Sequence, residues 1–189
     1  MSKNLRRLTT AAILTAVIVV MAFTPLGYLK AGPVEITFLT IPVVIGAILL
    51  GPAYGAWLGV VFGASSFATC VLGSSVFGAA LLSIHPVGTF LCTMLPRIMV
   101  GLVPAWLFRL LYRGNQLGRA LVLTSLAGVL TNTVLFIGMV VAIFRNTYFG
   151  GSPFWTIFLS FFTLNVAIEI VVSCVAAAGL SRVLAKIIS

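Results

Sequence analysis

Arg97 stands in the stretch LCTMLPRIMVG (91–101), with no acidic residue nearby and long apolar runs on both sides. A guanidinium offers a planar fork of donors that matches a carboxylate or a carbonyl. Three more polar groups stand inside apolar runs: Asn132, Asn165 and Glu169. Asn165 and Glu169 are four residues apart, which puts them on one face of a helix. Ionisable groups buried in such runs cost several kcal/mol unless paired, and by default they mark function. Two arrangements would satisfy Arg97 and Glu169. One is a structural ion pair that clasps two helices and is costly to truncate. The other is a small polar cavity, where Arg97 receives an anion or carbonyl while Glu169, Asn165 and Asn132 orient the ligand. The two are compatible.

Such residues bind; little in the sequence does more. There is one His, and the only acids are Glu35 and Glu169. The HExxH, GxSxG and Walker patterns are absent, so neither an enzyme nor an ATPase site is expected, and no cofactor. Filter-like repeats of the kind a channel needs are also absent. Cys70, Cys92 and Cys174 lie in apolar segments without metal-ligand spacing and read as small apolar fillers.

The elements that must position these groups follow from composition. Of 189 residues, 61 % are hydrophobic and 7 % charged, and mean hydropathy is +1.26. A soluble domain needs more surface charge than that, so the chain is an integral membrane protein. Its apolar runs are continuous, without strand-like alternation, which predicts an all-α fold. Six spans are expected: about 8–25, 38–50, 56–72, 87–112, 120–144 and 154–184. The second is short. Residues 26–37 (LGYLKAGPVEIT) read as a structured loop, GPAYG (51–55) as a tight turn, and 73–85 as a Gly/Ser-rich connection. The N-terminal run reads as the first span rather than a cleaved leader.

The net charge of +9 is a topology signal, not a nucleic-acid footprint. Lys3, Arg6, Arg7, Arg109, Arg113, Arg119, Arg182 and Lys186 fall at span ends on one side, and Lys30 and Arg145 on the other. Both termini are therefore expected in the cytoplasm. At the usual helical rise Arg97 and Glu169 then sit at similar depth, Arg97 roughly 15 Å in.

Ala12 and Ala16 are four apart near the inner end of the first span, and Gly55, Gly59 and Gly63 repeat the spacing in the third. Small residues at this interval allow close approach of another helix, either within the chain or from a partner. Near the outer surface fall Lys30, Glu35, His85, Tyr148 and Trp155. Glu35 and His85 are candidate ligand contacts, although His85, next to Pro86, also reads as a helix-entry residue. Tyr148 and Trp155 also read as interfacial anchors.

These features together resemble the substrate-binding S component of an energy-coupling factor (ECF) vitamin transporter. The likeness rests on the basic N-terminus, LTTAAILTA (8–16), the Gly-Pro loop, IPVVIGAILLGPAYGAWLGVVFG (41–63), LPRIMVGL (95–102) and NVAIE (165–169). It implies six helices, a ligand site in the outer half, a transmembrane scaffold subunit met by Ala12 and Ala16, and two cytosolic ATPase subunits. It implies no chemistry, only binding and a toppling movement that carries the substrate inward across the plasma membrane. The 41–52 region looks most like members that handle pantothenate, or the pyridoxine and hydroxymethylpyrimidine type. Pantothenate, an anion, suits Arg97; a cationic amine would suit Glu169 or Glu35. The other class of function consistent with the sequence is a membrane scaffold or assembly protein with an Arg97–Glu169 clasp.

Overall fold

A computed structural model describes residues 2–31, 34–112 and 117–151, with Pro153, Trp155, Thr156 and Leu159. The expected sixth span, with Asn165, Glu169 and Cys174, lies outside the described residues. Among the described residues there are six helices and one hairpin: α1 (Lys3–Ala22), β1 (Tyr28–Ala31), β2 (Val34–Thr37), α2 (Thr40–Leu50), α3 (Pro52–Val71), α4 (Val76–Ile84), α5 (Pro86–Leu111) and α6 (Leu117–Phe144). Among the described residues, α1, α3, α5 and α6 are long and apolar enough to cross a membrane. Helix α2, with 11 residues, spans only about 16 Å.

The helical class holds, and the structure refines three of the connections. The loop at 26–37 folds into an antiparallel hairpin, with Tyr28 opposite Thr37 and Lys30 opposite Glu35. Each arm is too short for a helix, and the β-branched residues of VEIT favour strand. The hairpin's base is closed by the Phe38 amide, which donates to the Gly27 carbonyl at 2.9 Å. The tight turn at 51–55 shrinks to Gly51 alone. Its φ of 93° is the conformation glycine tolerates, and Pro52 already begins α3, where its missing N–H costs nothing. The connection at 73–85 contains α4, whose N-cap Ser75 accepts from the Gly78 amide at 3.2 Å.

Helices α3 and α5 make the most extensive helix pair, and small residues permit it. A Cβ at Gly55 would run into the Gly101 carbonyl, and one at Gly59 into the Arg97 carbonyl and within 2.9 Å of Ile98 Cα. One at Gly63 would lie 3.1 Å from Met94 Cα. The glycine ladder of α3 is therefore spent inside the chain, against the backbone of α5. It fixes where Arg97 stands. Beside this seam Ile18, Leu39, Val43, Leu58, Phe62 and Val100 form the main apolar core. A second cluster joins Leu81, Cys92, Val140 and Phe144. Large apolar side chains such as Trp57 and Trp106 point outward, as lipid-facing surfaces require.

Gly59→Ala forces backbone against backbone and is expected to lose about 1–3 kcal/mol of stability. Gly138→Ala, whose added Cβ meets no described residue within 4 Å, is expected to be neutral or slightly stabilising. Thermal unfolding of the two purified variants in detergent checks the contrast.

Candidate functional site

The sequence LPR explains its own arginine. Pro96 lies inside α5 and has no N–H, so the carbonyl four residues earlier, on Cys92, loses its helical donor. In a membrane interior that loss costs several kcal/mol unless another donor arrives. Arg97 supplies it: its Nη1 donates to the Cys92 carbonyl at 2.7 Å. The side chain thus folds back along α5, only 7 % exposed. Its guanidinium carbon lies 4.5 Å from the centre of the Phe136 ring and 5.5 Å from that of Phe62, within cation–π range.

The guanidinium faces a cavity, of which about 60 Å³ is open to the centres of water-sized molecules. By the usual measure of ~10–15 Å³ per enclosed water, that is room for several. Its walls come from five elements. Helix α5 contributes Thr89, Thr93 and Arg97, spaced i, i+4, i+8 on one face, with Cys92 beside them. Helix α6 contributes Asn132, Thr133 and Phe136, and α3 contributes Ser66, Thr69 and Cys70. The hairpin adds Tyr28 and Thr37, and the α4 region adds Ser75 and Phe77. The hairpin is tied over the cavity by a 2.8 Å hydrogen bond between the hydroxyls of Tyr28 and Ser66. On the other flank Phe77 packs edge-on against Tyr148, with ring centres 5.6 Å apart.

Arg97 and Asn132 both line this cavity. Asn132 is 4 % exposed, and its Oδ1 is buried with no hydrogen-bond partner among the described residues. His85 takes the helix-entry role: it caps α5, its Nδ1 accepting from the Gly88 amide at 2.8 Å, and it is not among the described residues that line the cavity. Geometry favours the cap because the imidazole sits immediately before Pro86 at an open helix start. Glu35 lies in β2, in register with Lys30. Asn165 and Glu169 are outside the described residues. No group of three or more His, Cys, Asp or Glu suited to a metal occurs among the described residues.

The hydroxyl wall went unread in the sequence. Thr89 and Thr93, each one helical turn from the next polar residue toward Arg97, were its visible signal. Tyr28, Thr37 and Ser66 come together only through the tertiary fold.

Ala12 and Ala16 lie elsewhere. Both are exposed and line an open, almost wholly apolar groove with Leu8 and Val20 of α1 and Tyr54 and Trp57 of α3.

Two comparisons bear on this geometry. The family model for the ECF transporter substrate-specific component matches residues 6–181. The chain belongs to that family. This S component is also similar to the pantothenic acid transporter PanT of Lactococcus lactis subsp. cremoris, with 35 % identity over 124 residues. That match covers 61 % of this chain and 61 % of the relative's length. Family and apolar helices together make this S component a membrane transport protein.

The Pro96–Arg97 device has a measurable signature. Arg97→Met is expected to cost about 1–3 kcal/mol of stability, since the Cys92 carbonyl is left without a donor. In a Pro96→Ala background the backbone N–H returns and the same change costs much less. A double-mutant cycle in chemical unfolding reads the coupling; equal costs in both backgrounds would refute the pairing.

Proposed function

We propose that this S component binds pantothenate, or a closely similar carboxylate vitamin, in the Arg97 cavity, and that it passes the ligand inward as the substrate-specific subunit of an ATP-driven ECF importer. The observation that carries the reading is a buried guanidinium held at the wall of a polar cavity inside an apolar helix bundle. A cation so placed is a receptor for an anion. The similarity to a pantothenic acid transporter favours pantothenate over the amine substrates that Glu169 or Glu35 would suit. Asn132 orients the ligand, a role that Asn165 and Glu169 of the expected sixth span share.

On this reading the chain crosses the plasma membrane six times with both termini in the cytoplasm. The cavity then opens outward, beneath the hairpin. The apolar groove at Ala12 and Ala16 takes the transmembrane scaffold subunit, whose two ATPase partners drive toppling and release. Small residues at that face let the scaffold's helices approach closely. The glycines of α3 leave the task to these alanines, because they are occupied by α5.

The two halves of the proposal separate by mutation. Arg97→Ala should weaken pantothenate binding to the purified chain by more than about a hundredfold, and Arg97→Lys, which loses the fork, by about tenfold or more. Ala12→Trp should leave binding within about twofold of the parent and abolish uptake of labelled pantothenate by cells carrying the whole transporter. Full uptake by Ala12→Trp would reject the docking face. Absence of any thermal shift across a panel of water-soluble vitamins would reject the binding role.

A further inference from the structure

On the long helices, the threonine hydroxyls of Thr69, Thr89 and Thr93 have already committed their hydrogens, and this limits what a ligand can bring. A threonine hydroxyl has one hydrogen to give and two lone pairs to offer. On α5, Thr89 gives its hydrogen to the His85 carbonyl at 3.1 Å. One turn deeper, Thr93 gives its hydrogen to the carbonyls of Thr89 and Phe90, both at 3.0 Å. On α3, Thr69 gives its hydrogen to the Ser66 carbonyl at 2.7 Å. What these three side chains retain for a ligand is lone pairs. Asn132 adds a fourth acceptor, an Oδ1 that is buried and has no hydrogen-bond partner among the described residues. All four line the cavity, from three different helices.

We infer that this cavity selects its ligand by the hydrogen-bond donors the ligand carries: an extended acid whose carboxylate meets Arg97 and whose remaining length presents N–H and O–H groups to the acceptors of Thr69, Thr89, Thr93 and Asn132. This rests on the cavity being the substrate site. The scale agrees, because eight residues of α5 from Thr89 to Arg97 rise about 12 Å. A buried acceptor left dry is costly, so a ligand without the matching donor is rejected by loss of pairing rather than by shape. Among the described residues, the hydroxyls of Thr37 and Ser75 differ: each accepts from a backbone amide, of Leu39 and Gly78, and keeps its hydrogen. They lie on the hairpin and at the start of α4, apart from the four acceptors, which stand on α3, α5 and α6. Pantothenate, with one amide N–H, two hydroxyls and a carboxylate, is the probe that fits this description.

The test is titration calorimetry on the purified full chain with pantothenate and two analogues of equal charge and no added bulk. In one an ester oxygen replaces the amide N–H; in the other a hydrogen replaces one hydroxyl. Each analogue is expected to bind the parent chain about ten- to a hundredfold more weakly. Thr93→Val should weaken pantothenate about tenfold and bring at least one analogue within about threefold of it. Thr93→Ser, which restores the hydroxyl, should return the original ratios. Analogues that bind the parent chain within about threefold of pantothenate would overturn the inference while leaving the binding role intact. So would ratios unchanged in Thr93→Val. Failure of pantothenate itself to bind would overturn the binding role, and this inference with it.

Discussion

A proline in the middle of a membrane helix creates a debt in hydrogen bonding, and here the next residue meets it. The Cys92 carbonyl, deprived of its partner by Pro96, takes a 2.7 Å bond from Arg97. This interaction supplies the donor that Pro96 removes, and it sets the direction in which the side chain runs. With it, the guanidinium is fixed between the rings of Phe136 and Phe62 and turned toward the cavity.

Everything around that site depends on α5 staying where it is. The glycines of α3 achieve this by letting the two backbones meet, with Gly59 against the Arg97 carbonyl itself. The arginine's main chain is therefore clamped from one side and its side chain from another. Over this rigid pair sits the hairpin, joined by the Tyr28–Ser66 hydroxyl contact. A binding site that must discriminate small polar molecules benefits from such fixed walls, because little ordering entropy is lost when the ligand arrives. The outward face of α1 has the opposite character: its small residues are exposed and line an open apolar groove.

Much of this was legible in the sequence. Length and continuity of the apolar runs predicted the long helices to within a few residues. The polarity of Arg97 and Asn132 in apolar runs singled out two residues that do meet in one cavity. What stayed hidden had physical reasons. Arms of four residues carry too little pattern to declare a hairpin, so 26–37 read only as a loop. Threonines are common in helices, and their arrangement as a wall depends on which face turns inward. His85 offered titratable chemistry in the sequence, but in the fold it only closes the first turn of α5. The glycine ladder left open whether it served the chain or a partner until α5 was found against it.

The central claim is that Arg97, held in the gap made by Pro96, is the receptor for an anionic ligand. The most direct measurement compares binding of pantothenate with that of its neutral alcohol analogue, in which the carboxylate is replaced by a CH2OH group, on the same purified chain. The account predicts that the alcohol binds at least about a hundredfold more weakly, since it offers the guanidinium fork no carboxylate to receive its paired donors. Equal affinity for the two would contradict it.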